Sequence, residues 1–248
     1  MSVPAYPEGR DLLRGKRVLV TAAAGTGIGF ATAKRCVEEG AEVIISDRHA
    51  KRLAQSAETL GVASVVCDVT DEAQVQAMFD EAGEIDVLVN NAGLGGYARL
   101  TEMTDEQWTK VLDVTLNGTM RCMRAALKRM GPRGQGSIVN NASVLGWRAQ
   151  EGQSHYAAAK AGVMALTRCA AIEAADVGVR INAVAPSLAM HAFLSKVTPP
   201  GLLEELCAKE AFGRAAEPWE IANIIVFLAS DLSSYMTGEI LSASSQRV

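Results

Sequence analysis

Apolar runs of strand length alternate with amphipathic runs of helix length along nearly the whole chain, and no other feature restricts the fold as much. Arg17–Thr21 (RVLVT) reads as a buried strand, and 27–39 as a helix that Gly40 ends. Strands are expected at 42–46, 63–66, 85–90, 137–141, 179–184 and 239–242. Helices are expected at 49–60, 71–82 (capped by Thr70 or Asp71), about 105–130, 153–176 and 218–230, with a short one near 200–210. This order implies a doubly wound α/β fold: a parallel sheet of about seven strands, with right-handed crossovers and helices on both faces. We expect one domain over residues 1–248, with a substrate lid over about 187–216. Ligands of such sheets bind beyond the carboxyl ends of the strands, so the residues just after each strand are the ones to read.

Composition fits that fold. Apolar residues make up 49% of the chain but aromatic residues only 5%, so the core is expected to consist of Val, Ile, Leu and Ala. A net charge of −4 gives no attraction for nucleic acid or an anionic membrane. Cys36, Cys67, Cys122, Cys169 and Cys207 are scattered and odd in number, the pattern of reduced thiols in a cytoplasmic protein. The first fifteen residues lack the apolar core of a signal peptide, and no apolar run reaches the ~18 residues a membrane helix needs. His49, His155 and His191 have no metal-ligand spacing, so no metal is expected.

The first strand runs straight into AAAGTGIG. Gly25, Thr26, Gly27, Ile28 and Gly29 make a tight turn that opens a helix, whose free N–H groups and positive dipole end suit a pyrophosphate. Such turns also occur without a ligand. Asp47, after the second strand, can accept bonds from both ribose hydroxyls of NAD and would repel the 2′-phosphate of NADP, while neighbouring Arg48 softens that choice. NAD is the expected cofactor, with NADP the alternative. Asp68-Val69 and Asn91-Ala92-Gly93 follow the third and fourth strands and can flank adenine and its ribose; Asp68 could equally be a helix cap.

Tyr156 and Lys160 lie four apart on an expected helix and share a face. A phenol is a poor base at neutral pH, with an ordinary pKa of about 10, and a neighbouring ammonium should lower it. Ser143, just past the fifth strand, can hold a substrate oxygen beside that phenol. A lone YxxxK is usually a surface pair; its conjunction with Ser143, the glycine turn and NNAG carries the weight.

With these pieces in order, the chain resembles the short-chain dehydrogenase/reductase family from Lys16 to about Leu241, in particular its 3-oxoacyl-ACP reductase-like members. The matching motifs are GTGIG (25–29), CDV (67–69), NNAG (90–93), Ser143, YAAAK (156–160), INAVAP (181–186) and FLASDLSSYMTGE (227–239). The resemblance implies a Rossmann-like fold. It implies Tyr156 as proton donor and acceptor, Ser143 as holder of the substrate oxygen, and Lys160 on the nicotinamide ribose. The nicotinamide carboxamide would lie near Pro186, Ser187 and Leu188, and the assembly would be a homotetramer. The turn departs from the family's TGxxxGxG by one extra residue, with Ala22 near the usual first glycine. The family's Asn-Leu-x-Gly is Thr115-Leu116-Asn117-Gly118 here, so Thr115 or backbone takes over the usual relay contact and Asn117 is the second candidate. Pro186-Ser187 replaces Pro-Gly, and SASSQ replaces the usual VDGG.

Leu94, Tyr97, Leu145, Trp147, Leu188, Met190, Phe193 and Leu194 are expected to line an apolar pocket, which suits a bulky or acyl-chained substrate. His155 and His191 read as loop or surface histidines. Arg121, Arg124, Lys128, Arg129 and Arg133 form a basic stripe that is either a solvated helix face or a dock for CoA or acyl carrier protein. The expected activity is hydride transfer between nicotinamide and a carbonyl or secondary alcohol, foremost on a 3-oxoacyl thioester of CoA or acyl carrier protein. The alternatives are dehydrogenation of a steroid-like or other bulky cyclic alcohol and, outside catalysis, an NAD-binding scaffold or sensor.

Overall fold

The computed structural model describes residues 1–190 and 201–245. Strands β1 (Arg17–Thr21), β2 (Glu42–Asp47), β3 (Ala63–Val66), β4 (Val87–Asn90), β5 (Gly136–Asn141), β6 (Val179–Pro186) and β7 (Ile240–Ala243) form one parallel sheet in the order β3-β2-β1-β4-β5-β6-β7. Around it lie α1 (Ile28–Glu38), α2 (Ala50–Leu60), α3 (Glu72–Ala82), α4 (Asp105–Leu112), α5 (Gly118–Met130), α6 (Ser154–Ala175), α7 (Leu202–Lys209) and α8 (Pro218–Ala229). The strand order reverses between β1 and β4, which opens a crevice at their carboxyl ends.

Side chains alternate across the sheet with period two, and each face buries its own core. Leu19, Ile44, Leu88, Ile138 and Ile181 meet α3, α5 and α6 through Met78, Phe79, Met123 and Ala171. Val18, Val20, Ile45, Val89, Val139 and Val184 face the other way, onto Ala33, Leu53, Ile221 and Ile225 of α1, α2 and α8. Asp71 caps α3, accepting from the amides of Ala73 (2.8 Å) and Gln74 (3.2 Å). Thr104 and Gln107 make a reciprocal capping box that starts α4. Gly27 caps α1 without any side-chain bond to the helix amides.

One expectation changes, and one pair of alternatives narrows. The single helix expected over about 105–130 is α4 and α5 joined by a π-helical segment, Asp113–Asn117. Of the basic stripe's two readings, the solvated helix face fits the ion pairs that four of its five cations make. Arg124 pairs with Glu72 (2.6 Å) and Arg129 with Asp80 (2.5 Å), both on α3. Arg121 pairs with Asp113 (2.9 Å) and Arg133 with Asp86 (2.6 Å). No helix among the described residues is long and apolar enough to cross a membrane.

Leu88 is fully buried in the central strand β4. Leu88→Ala should lower the unfolding free energy by about 2–5 kcal/mol in urea titrations, through lost burial and the cavity left behind. A loss well under ~1 kcal/mol would mean that this face is not close-packed.

Candidate active site

The carboxyl ends of β1, β4 and β5 are tied together by polar side chains. Thr21 Oγ1 accepts from the amides of Asn91 (3.0 Å) and Ala92 (3.2 Å). Asn91 Nδ2 donates to the carbonyls of Thr21 (3.2 Å) and Ala22 (3.0 Å), and its Oδ1 accepts from Asn141 Nδ2 (2.9 Å). These bonds hold Ala22 at φ 51°, a left-handed conformation costly for a residue with a Cβ. Gly29 is needed beside it: a Cβ there would lie 2.5 Å from the Ala22 carbonyl oxygen. The longer turn of this chain is thus reshaped and kept against the end of β1.

Above these strand ends lies one continuous cavity of about 1590 Å³. One half is lined by Gly25, Thr26, Gly27, Ile28 and Gly29, by Asp47 and Arg48, and by Asp68 and Val69. Asn91, Ala92, Gly93, Pro186, Ser187 and Leu188 continue the wall toward Ser143, Tyr156 and Lys160. Asp47 accepts from the amides of Ala24 (3.3 Å) and His49 (2.9 Å), which fixes its carboxylate at the rim of the glycine turn. Ser56 of α2 accepts from the Gly25 amide (3.1 Å), a brace that no sequence motif signalled. Asp68 behaves as a local cap: its Oδ1 accepts from the amide (3.0 Å) and the hydroxyl (2.8 Å) of Thr70.

Ser143 follows β5 in extended backbone, with its Oγ accepting from the Leu145 amide (3.2 Å). Its hydroxyl is also hydrogen-bonded to that of Tyr156. Lys160, one turn further along α6, is buried and donates to the backbone carbonyl of Asn141. Its Nζ lies 5.6 Å from the Tyr156 ring centroid, and a Cβ on Gly93 would sit 3.4 Å from it. Burial pushes the Tyr156 phenol up to about 12, partly opposed by the Ser143 bond, and pulls the Lys160 ammonium down to about 7. The sequence had suggested a phenol lowered by its lysine. Here desolvation outweighs that attraction, because the enclosure penalises both charged forms.

Thr115 and Asn117 part company. Thr115 is buried in the π-helical segment, where its Oγ1 accepts from the Leu94 amide (3.0 Å) and donates to the Leu94 carbonyl (3.3 Å). It braces the wall beside Gly93 without lining the cavity. Asn117, two residues on and turned outward, is exposed and donates to Asp113 (3.1 Å); it does not reach the site. His155 is not a surface residue: it is buried in the first turn of α6, its imidazole pKa lowered by desolvation.

On the far side, Leu94, Tyr97, Leu145 and Leu188 line the cavity as expected, joined by Leu202 and Leu206 of α7. Trp147 and Met190 do not line it. His191, Phe193 and Leu194 fall outside the described residues, as does part of the expected lid. The loop at 94–98 is stitched to the start of α6: Gln153 Nε2 donates to the Gly96 carbonyl (2.8 Å) and the Ala98 amide to that of Gly152 (3.0 Å).

The lysine offers a test independent of turnover. With its pKa near 7 when folded and 10.5 when unfolded, Lys160 holds fewer protons in the folded chain between those values. Raising the pH across that window should therefore favour folding, and below about pH 7 the full cost of burying the ammonium remains. Unfolding titrations of the protein without cofactor should show a more positive slope against pH from 7 to 10 than those of Lys160→Met. Parallel slopes would show that the ammonium is not desolvated.

The comparisons agree with this geometry. Residues 22–245 match the family model described as enoyl-(acyl carrier protein) reductase. The chain is 62% identical, over 98% of its length and 97% of the relative's, to the (5R,7aS)-5-hydroxy-7a-methyl-1-oxo-2,3,5,6,7,7a-hexahydro-1H-indene-carboxyl-CoA reductase of Mycobacterium tuberculosis. It is 40% identical to the 3-oxoacyl-[acyl-carrier-protein] reductase FabG of Thermotoga maritima, over 92% of this chain and 96% of the relative. The crystal structure of a short chain dehydrogenase from Mycobacterium smegmatis superposes with a TM-score of 0.88 at 56% identity, covering 100% of this chain and 99% of that one. With its sheet order, its strand-end motifs and these relatives in agreement, the chain belongs to the short-chain dehydrogenase/reductase family of nicotinamide-dependent oxidoreductases.

Proposed function

We propose that this enzyme interconverts a ring ketone and its secondary alcohol on a substrate carried as a CoA thioester. The observation that carries the reading is the convergence of Ser143, Tyr156 and Lys160 on one cavity with the glycine turn at its other end. The relative acting on an indene-carboxyl-CoA, at 62% identity, supports a substrate that is both cyclic and thioester-linked. The apolar lining from Leu145, Leu188, Leu202 and Leu206 suits such a skeleton.

A nicotinamide dinucleotide fits the residues present. Gly25–Gly29 line the cavity at the first turn of α1, whose amides receive no side-chain cap, and Asp47 stands at the rim. The pyrophosphate would lie on Gly25–Gly29, the adenosine ribose on Asp47, the adenine between Asp68 and Val69, and the nicotinamide end near Lys160 and Pro186–Leu188. When bound, this cofactor supplies or accepts the hydride. Tyr156, protonated at neutral pH, donates its proton to the carbonyl oxygen that Ser143 holds. In the oxidative direction Tyr156 must be in its phenolate form, which the Lys160 ammonium favours, to take the alcohol's proton and return to the phenol. Thr115 keeps the Leu94 backbone in place beside them.

We favour NAD over NADP because Asp47 sets a carboxylate where a 2′-phosphate would have to lie. A homotetramer is proposed from family resemblance and from the outer face of α6, where Ala158, Ala165 and Ile172 are exposed. The cytoplasm is the proposed compartment, consistent with five free cysteines.

NADH oxidation with acetoacetyl-CoA and 4-oxocyclohexanecarboxyl-CoA tests the activity. Tyr156→Phe should lower turnover by at least about 100-fold while NADH binding is kept; turnover equal to that of the parent would remove the phenol from the mechanism. In thermal-shift titrations the parent should respond to NADH at lower concentration than to NADPH. Asp47→Ser should narrow that gap by about tenfold, and an unchanged gap would remove Asp47 as the selector.

A further inference from the structure

Most glycines discussed so far are required by the protein itself. Gly152, for example, has φ +73°, and a Cβ there would fall 2.4 Å from the Tyr97 ring. Gly95 and Gly96 are different. Both line the cavity, and neither has the positive φ that favours glycine. A Cβ on Gly95 would meet the Tyr156 ring at 3.7 Å, and one on Gly96 would meet His155 Nε2 at 3.5 Å, both ordinary contacts. Neither backbone geometry nor packing explains why side chains are absent at these two positions.

A side chain on Gly96 would lie against buried His155, whereas one on Gly95 would occupy cavity space beside the Tyr156 ring. The loop could not slide away to restore it. The Leu94 amide is bound to Thr115, the Gly96 carbonyl to Gln153 and the Ala98 amide to Gly152. A wall fixed at three points and left bare next to the proton donor is suited to a ligand that is broad close to its reacting carbon. A linear acyl chain can run straight away from its carbonyl on either side and needs no such width, whereas a ring doubles back beside it.

We propose that Gly95 forms a size gate beside the Tyr156 ring that admits the breadth of a ring at the reacting carbonyl. This rests on the ring-thioester reading above and adds to it the residue that selects the ring over a linear 3-oxoacyl chain.

The test compares Gly95→Ala and Gly95→Val with the parent on 4-oxocyclohexanecarboxyl-CoA and acetoacetyl-CoA, with NADH affinity measured alongside. The ratio of kcat/KM, ring over linear, should fall stepwise with side-chain size, reaching about 10–200-fold for valine, the range by which single carbons are discriminated in fitted pockets. NADH affinity should hold. Equal losses on both probes, or no loss on the ring, would overturn the gate, and the alanine variant guards against misfolding because its Cβ fits. A parent that reduces acetoacetyl-CoA but not the ring thioester overturns the gate and leaves the thioester reading standing. A parent that reduces free 4-oxocyclohexanecarboxylate as fast as its thioester overturns the thioester reading, and the ratio then measured on the two ketones still decides the gate.

Discussion

The whole site depends on a run of hydrogen bonds that crosses three strand ends: Thr21 to Asn91, Asn91 to Asn141, and the Asn141 carbonyl to Lys160. Each bond contributes about 0.5–1.5 kcal/mol net, but breaking one strands a buried polar group at about 1–3 kcal/mol. Because the members are shared, the glycine turn, the sheet and α6 are held in one register. The turn is locked through Ala22 at one end and the ammonium is aimed at the other. A parallel sheet supplies this geometry readily, since all its carboxyl ends lie on one side.

Around that spine, burial sets the chemistry. Enclosure raises the Tyr156 phenol and lowers the Lys160 ammonium, so the phenol rests protonated while the lysine titrates near neutral pH. In the proposed reaction such a phenol gives its proton to a carbonyl, and it acts as a base only when a neighbouring positive charge offsets the cost of the phenolate.

Much of the architecture was legible from local patterns. Strands such as Arg17–Thr21 and Ala63–Val66 matched to the residue, because continuous apolar runs bounded by turn residues admit few other states. The positions of Ser143, Tyr156 and Lys160 followed from placing them after β5 and on one face of α6. What was not legible depended on partners distant in sequence. The π-helical segment has no periodic signature, and the inward turn of Thr115 is visible only with Leu94 against it. His155 looked like a loop residue because its burial comes from the 94–98 loop folding over it. The partners of Arg124 and Arg129 on α5 were not visible in the local pattern because their carboxylates lie on α3, about fifty residues earlier. The direction of the Tyr156 shift was missed because desolvation is a property of the enclosure and not of the i, i+4 spacing.

Gly27 leaves the first turn of α1 with no side chain to complete it. α3 and α4 settle that deficit internally, through Asp71 and Thr104, and their stability is then indifferent to metabolite levels. A helix whose missing partner is an anionic ligand has a folding equilibrium tied to the concentration of that ligand, growing as RT ln(1 + [L]/Kd). The lifetime of this enzyme in the cell, and not only its rate, would then follow the supply of dinucleotide.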